Sequence, residues 1–253
     1  MVIGDRFVFI HSPKTGGTFV TKMLKDVSSK SPGFSLVELP GMKHASAARI
    51  PEEHKHKLLM TNVRNPLDHY VSRYCYRWWA IAEHAEKRFH MQAVLKDFPS
   101  FPDITFQEFL KLFNRHRYRR FRENSADRGK ALEKKSIGFN TLNFLRMVRG
   151  KTSLRPRHVD ELVELHETEL REKFSEVRML RTDSLNRDLA EFLLELGLKE
   201  DVVQHVREHD RVMPVGKGRA ANDHWRGYYT LEDITRVLEW DRLLFRLFPD
   251  MKP

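Results

Sequence analysis

The chain holds one cysteine, Cys75, which excludes an internal disulfide framework and suits a reducing compartment. It has no apolar run long enough to cross a bilayer, and no secretory leader precedes its first apolar segment. The expectation is therefore a cytoplasmic protein without a stable membrane anchor. The nucleotide-hydrolysing signature Gly-x-x-x-x-Gly-Lys-Ser/Thr is missing, as are zinc-finger spacing, a recognisable RNA-binding motif, internal repeats and low-complexity tracts. His54-Lys55-His56 lacks an obvious third ligand, so no metal site is expected.

What is present is ordinary globular material. A chain of 253 residues, 40% hydrophobic and 32% charged, has enough length to bury a core, and a single domain over 1–253 is expected. Lys and Arg number 45 against 35 Asp and Glu, a formal charge of +10 that attracts acidic ligands. Nucleic acid is a usual partner for such a charge, but without a recognition motif it is not the partner expected here.

The chain is organised around Phe7-Val-Phe-Ile-His-Ser-Pro-Lys-Thr-Gly-Gly-Thr-Phe19. Phe7 to Ile10 is a continuous apolar run of the kind that fills a buried parallel strand. Pro13, Lys14, Thr15, Gly16, Gly17 and Thr18 follow, then an amphipathic stretch through Val20, Met23, Leu24 and Val27. The pattern predicts strand, tight loop and helix. Glycines permit close backbone approach, and a helix start offers N–H donors at the positive end of its dipole. Lys14 adds a charge, and Thr15 and Thr18 add hydroxyls. An oxyanion, foremost a phosphate, suits that loop.

A second motif follows another short apolar strand, Leu58 to Val63. Arg64-Asn65-Pro66 leads into a helix carrying Tyr70-Val71-Ser72-Arg73-Tyr74, with Pro66 at an early helical position where its missing N–H costs little. Arg64 sits at the strand's carboxyl end, where ligands bind in open parallel sheets.

Together the two motifs resemble those of PAPS-dependent sulfotransferases, with the first spelled as in the carbohydrate-modifying branch. PAPS is 3′-phosphoadenosine 5′-phosphosulfate. The resemblance implies an α/β fold with a central parallel sheet flanked by helices, P-loop-like, and no metal requirement. It assigns Pro13, Lys14, Thr15, Gly16, Gly17, Thr18 and Phe19 to the 5′-phosphosulfate, and Arg64 and Ser72 to the 3′-phosphate. It also implies 3′-phosphoadenosine 5′-phosphate (PAP) as product and a sugar hydroxyl or other small molecule as acceptor. Golgi members of that branch carry a membrane anchor, and this sequence departs from them there.

The rest of the chain is read more coarsely. Ser28 to Gly33 is a polar break and Phe34 to Leu39 a plausible strand. The stretch 76–173 turns helical and basic, and by its position should bind the acceptor. Arg115, Arg117, Arg119, Arg120 and Arg122 crowd part of it, which reads as a solvated face ahead of an acceptor grip. Ser125 to Lys135 is polar enough for a flexible lid. Val177 to Leu180 reads as a late strand before a helix that reaches Leu196, with Gly197 as its stop. Gly216-Lys217-Gly218-Arg219 is similar to the loop that closes over the 3′-phosphate in cytosolic sulfotransferases, which makes Lys217 and Arg219 donor-site candidates. Thr230 and Asp233 form a capping box for a terminal helix in which Val237, Leu244 and Trp240 pack.

Sulfuryl transfer needs a general base with a pKa near neutrality, which favours histidine. The resemblance points to His44, between the first helix and the 3′-phosphate motif, with Lys14 supporting the leaving group. His11, His54, His56 and Glu38 are the rivals. An ATP-dependent kinase and a basic nucleic-acid-binding protein are the alternative readings.

Overall fold

The computed structural model describes residues 1–116, 137–149, 158–210 and 224–253. The chain divides into two compact units, one from Met1–Asn65, Phe144–Leu154 and Arg171–Gly216, the other from Pro66–Asn143, Arg155–Leu170 and Lys217–Pro253.

The first unit is built on a five-stranded sheet in the order β3-β1-β2-β4-β5. Its strands are β1 (Val2–Gly4), β2 (Phe7–Ile10), β3 (Leu36–Glu38), β4 (Leu58–Val63) and β5 (Val177–Arg181). β2, β4 and β5 run parallel, as expected of the central sheet, with Phe9 opposite Met60 and Asn62 opposite Leu180. The sheet as a whole is mixed, which corrects the expectation of a parallel one: β1 is antiparallel to both β2 and β3. Only Asp5 and Arg6 join β1 to β2, and so short a link permits hairpin pairing alone. β3 is an edge strand, and only Leu36–Glu38 of the expected Phe34–Leu39 segment pairs.

Helix α1 (Gly17–Lys30) buries Phe19, Val20, Met23, Leu24 and Val27, the 3.6-residue stripe read from the sequence. These side chains join Phe7, Phe9, Met60 and Leu180 from the sheet, and Leu189, Phe192 and Leu193 from the helix Leu185–Glu195, in one core. Each fully buried Leu or Phe contributes about 1.5–3 kcal/mol, so this cluster fixes α1, and the loop before it, on the sheet. The helix continues to Lys30, past the predicted break at Ser28. The Ser28 and Ser29 hydroxyls donate to the carbonyls of Phe34 and Asp26, both at 2.8 Å. Gly197, at φ +90°, ends the helix that precedes it, as expected.

Among the described residues the second unit is helical. It opens with α2 (Pro66–Tyr76), with Pro66 at the first helical position. Trp79, Phe109 and Phe113 are fully buried, the two phenylalanine rings 4.3 Å apart. Thr230 and Asp233 form the predicted capping box on the helix Leu231–Trp240. The expected terminal helix is two, with Val237 buried in this one and Leu244 in the next, Arg242–Leu247, while Trp240 is only half-buried. Asp241 is fully buried and accepts from the Thr141 N–H at 2.7 Å and the Asn140 amide at 3.3 Å. Burial raises its carboxyl to about 6, against those hydrogen bonds. No described helix is long and apolar enough to cross a membrane.

Candidate functional site

The loop between β2 and α1 is held by hydrogen bonds from three strand ends. Ser12 N–H donates to Ile10 O at 3.0 Å, and the buried Thr15 hydroxyl donates to Ser12 O at 2.8 Å. From the end of β5 the Thr182 hydroxyl lies 2.9 Å from both Thr15 O and Val63 O. From the end of β4 the Arg64 guanidinium donates to Lys14 O at 3.1 Å. Lys14 and Gly16 have φ of +67° and +89°, so the loop makes two left-handed turns within three residues.

The paired glycines are required here, Gly16 by its positive φ and Gly17 by steric contact. A Cβ on Gly16 would sit 2.5 Å from Leu185 Cδ2, and one on Gly17 would sit 2.2 Å from His11 Cδ2. No side chain caps α1 at Gly16. The N–H groups of its first turn, Gly17, Thr18 and Phe19, lack intrahelical acceptors and stand at the positive end of a 14-residue helix. Thr18 is exposed there, and Pro13 and Lys14 are half-buried. The Phe19 side chain instead lies in the core, 4% exposed, so any ligand contact it makes runs through its backbone. The Thr15 hydroxyl is likewise committed to the loop's own backbone.

His44 comes to the same strand end. Its Nδ1 is 3.0 Å from His11 O, and the two imidazoles meet edge to face with centroids 4.8 Å apart. A carbonyl only accepts, so Nδ1 carries the proton and Nε2 is the basic nitrogen of the exposed ring. His11 is 5% exposed, and burial, reinforced by the His44 and Lys43 charges, lowers it to about 3. It is neutral at pH 7 and serves as a wedge between Gly17 and His44.

His54 and His56 precede β4 and so stand at the opposite end of the sheet from the loop, which follows β2. Glu38 is on the edge strand, paired with Lys25 at 2.5 Å, and that bond holds its carboxyl below the usual range. Ser72 lies half-buried on α2, in the second unit. Lys217 and Arg219 lie outside the described residues, as do Arg117, Arg119, Arg120, Arg122 and the 125–135 stretch.

Two residues were not assigned to the loop from the sequence. Thr182 braces it, a role the strand-to-helix pattern alone did not specify. Asn62, with Thr61 before it, interrupts an apolar strand, and that interruption was its visible signal. It is 2% exposed, and its amide nitrogen lies 3.8 Å from the Cβ position of Gly16.

No protein-family profile, curated protein or solved structure matches the chain.

Proposed function

We propose that this protein is a sulfotransferase that moves the sulfuryl group of PAPS to an acceptor hydroxyl on a carbohydrate or other small molecule. The observation that carries the reading is one strand end bearing three things together. They are a helix-start loop with a lysine, an arginine bonded to that loop from the neighbouring parallel strand, and a histidine of defined tautomer.

PAPS supplies an activated S–O bond to its 5′-phosphate, and the residues present fit its charges. Lys14 and the first-turn N–H groups of α1 are donors for the 5′-phosphosulfate. They stabilise the charge that grows on the phosphate oxygen as the S–O bond breaks, the same task that cations and loop amides perform in phosphoryl transfer. Arg64, tethered to the loop by its bond to Lys14 O, suits the 3′-phosphate through its fork of N–H donors. The part of Ser72 in that phosphate's recognition rests on the sequence motif. His44 Nε2 takes the acceptor's hydroxyl proton as the acceptor oxygen bonds to sulfur. The electron pair of the broken S–O bond stays with the 5′-phosphate, PAP leaves, and His44 returns its proton to solvent.

The test is His44→Ala. Turnover of PAPS with a responsive acceptor should fall by about 10²–10⁴-fold, while PAP affinity stays within about twofold, because a general base acts on the acceptor side. Intact turnover would remove His44 from the reaction.

A further inference from the structure

Asn62 pairs with Leu180 across β4 and β5, on the sheet face where Phe9, Met60 and Leu180 build the apolar core. Neither its amide nitrogen nor its amide oxygen has a hydrogen-bond partner among the described residues. A buried amide unpaired at both ends is destabilising, and an apolar side chain of similar size would serve the core better. Its position decides what it is for. The amide nitrogen lies 3.8 Å from where a Cβ on Gly16 would stand, beside the left-handed residue from which α1 starts.

We propose that Asn62 is a positioning residue that couples oxyanion binding to the shape of the donor loop, an inference that rests on the PAPS reading. A 5′ oxyanion drawn onto the first-turn N–H groups reorients the Lys14–Gly16 peptides. The Asn62 amide then pairs with loop backbone groups and holds the loop in its ligand-bound form. Asn62 thus acts through the loop and not on the nucleotide, so its effect belongs to ligands that carry a 5′-phosphate.

Asn62→Leu separates this role from a packing role. Thermal unfolding and calorimetry would compare wild type and variant, with PAP and with adenosine 3′-monophosphate, which lacks the 5′ group. The variant should melt at a higher temperature without ligand, bind PAP about tenfold more weakly, as expected for one lost hydrogen bond, and bind adenosine 3′-monophosphate unchanged. If Asn62→Leu does not fold, Asn62→Ala provides the same affinity comparison. Wild-type protein that prefers PAP over AMP, with a variant that binds PAP equally well, would overturn the role of Asn62 alone. Wild-type protein without that preference would overturn the PAPS reading beneath it.

Discussion

Replacing Gly17 by alanine puts a methyl carbon 2.2 Å from His11 Cδ2, 2.5 Å from Nε2 and 2.6 Å from Cγ. Ordinary contact begins near 3.4 Å, so either the imidazole or the helix start must give by about 1.2 Å. The imidazole is 5% exposed and wedged edge to face against His44, so its displacement is passed to the exposed ring beside it. Overpacking of this kind costs about 1–3 kcal/mol, and each kcal/mol lowers Tm by about 2–4 °C in a chain of this size. Function should suffer more than stability, because a shift of about 1 Å in a catalytic group can cost about 10²-fold in rate. Gly227→Ala is the control: a Cβ there meets nothing within 4 Å. Scanning calorimetry and PAPS turnover on both variants read the two effects. A Gly17→Ala protein with wild-type Tm and turnover would refute the claim that His11 links the donor loop to His44.

Burial raises the Asp241 carboxyl from 3.8 to about 6, so between those values the folded protein holds more protons than the unfolded chain. Stability from this group therefore falls as pH rises from 4 to 6, by about 3 kcal/mol in total, and Asp241→Asn should abolish that decline in urea titrations across the range. His11 works in the opposite sense: lowered to about 3, it supplies stability that is full above 6.5 and lost as pH falls towards 3. The difference between wild type and Asp241→Asn cancels it. Thr182→Val removes the hydroxyl shared by Thr15 O and Val63 O and should cost about 0.5–1.5 kcal/mol, while Thr182→Ser restores the loss, both read from Tm.

Much of the first unit was legible because buried parallel strands read as near-continuous apolar runs. Phe7–Ile10 and Leu58–Val63 came out at their observed limits, and the α1 stripe from Val20 to Val27 is the buried face found. Strand direction was less legible. β1 is only three residues long, and its pairing depends on the Asp5-Arg6 link, which is too short for any periodicity to show. The helix Glu200–Glu208 was also missed: it buries only Val203 and Val206, too sparse a stripe to stand out.

At the site, the order of motifs placed Lys14, Arg64 and His44 as candidates, but their mutual geometry was not readable. The Arg64 bond to Lys14 O and the packing of His44 on His11 join residues far apart in the chain. The resemblance gave Thr15 and Phe19 donor-site roles without saying through which atoms; the Thr15 hydroxyl bonds the loop's own backbone and the Phe19 side chain packs in the core.

The central claim is that this chain binds a nucleotide for its 3′-phosphate. Calorimetry without magnesium, comparing PAP, AMP and ATP, tests it most directly. The account predicts clear preference for PAP, with the preference lost in Arg64→Ala. Equal binding of PAP and AMP, or binding of ATP only when magnesium is added, would contradict it and favour a kinase.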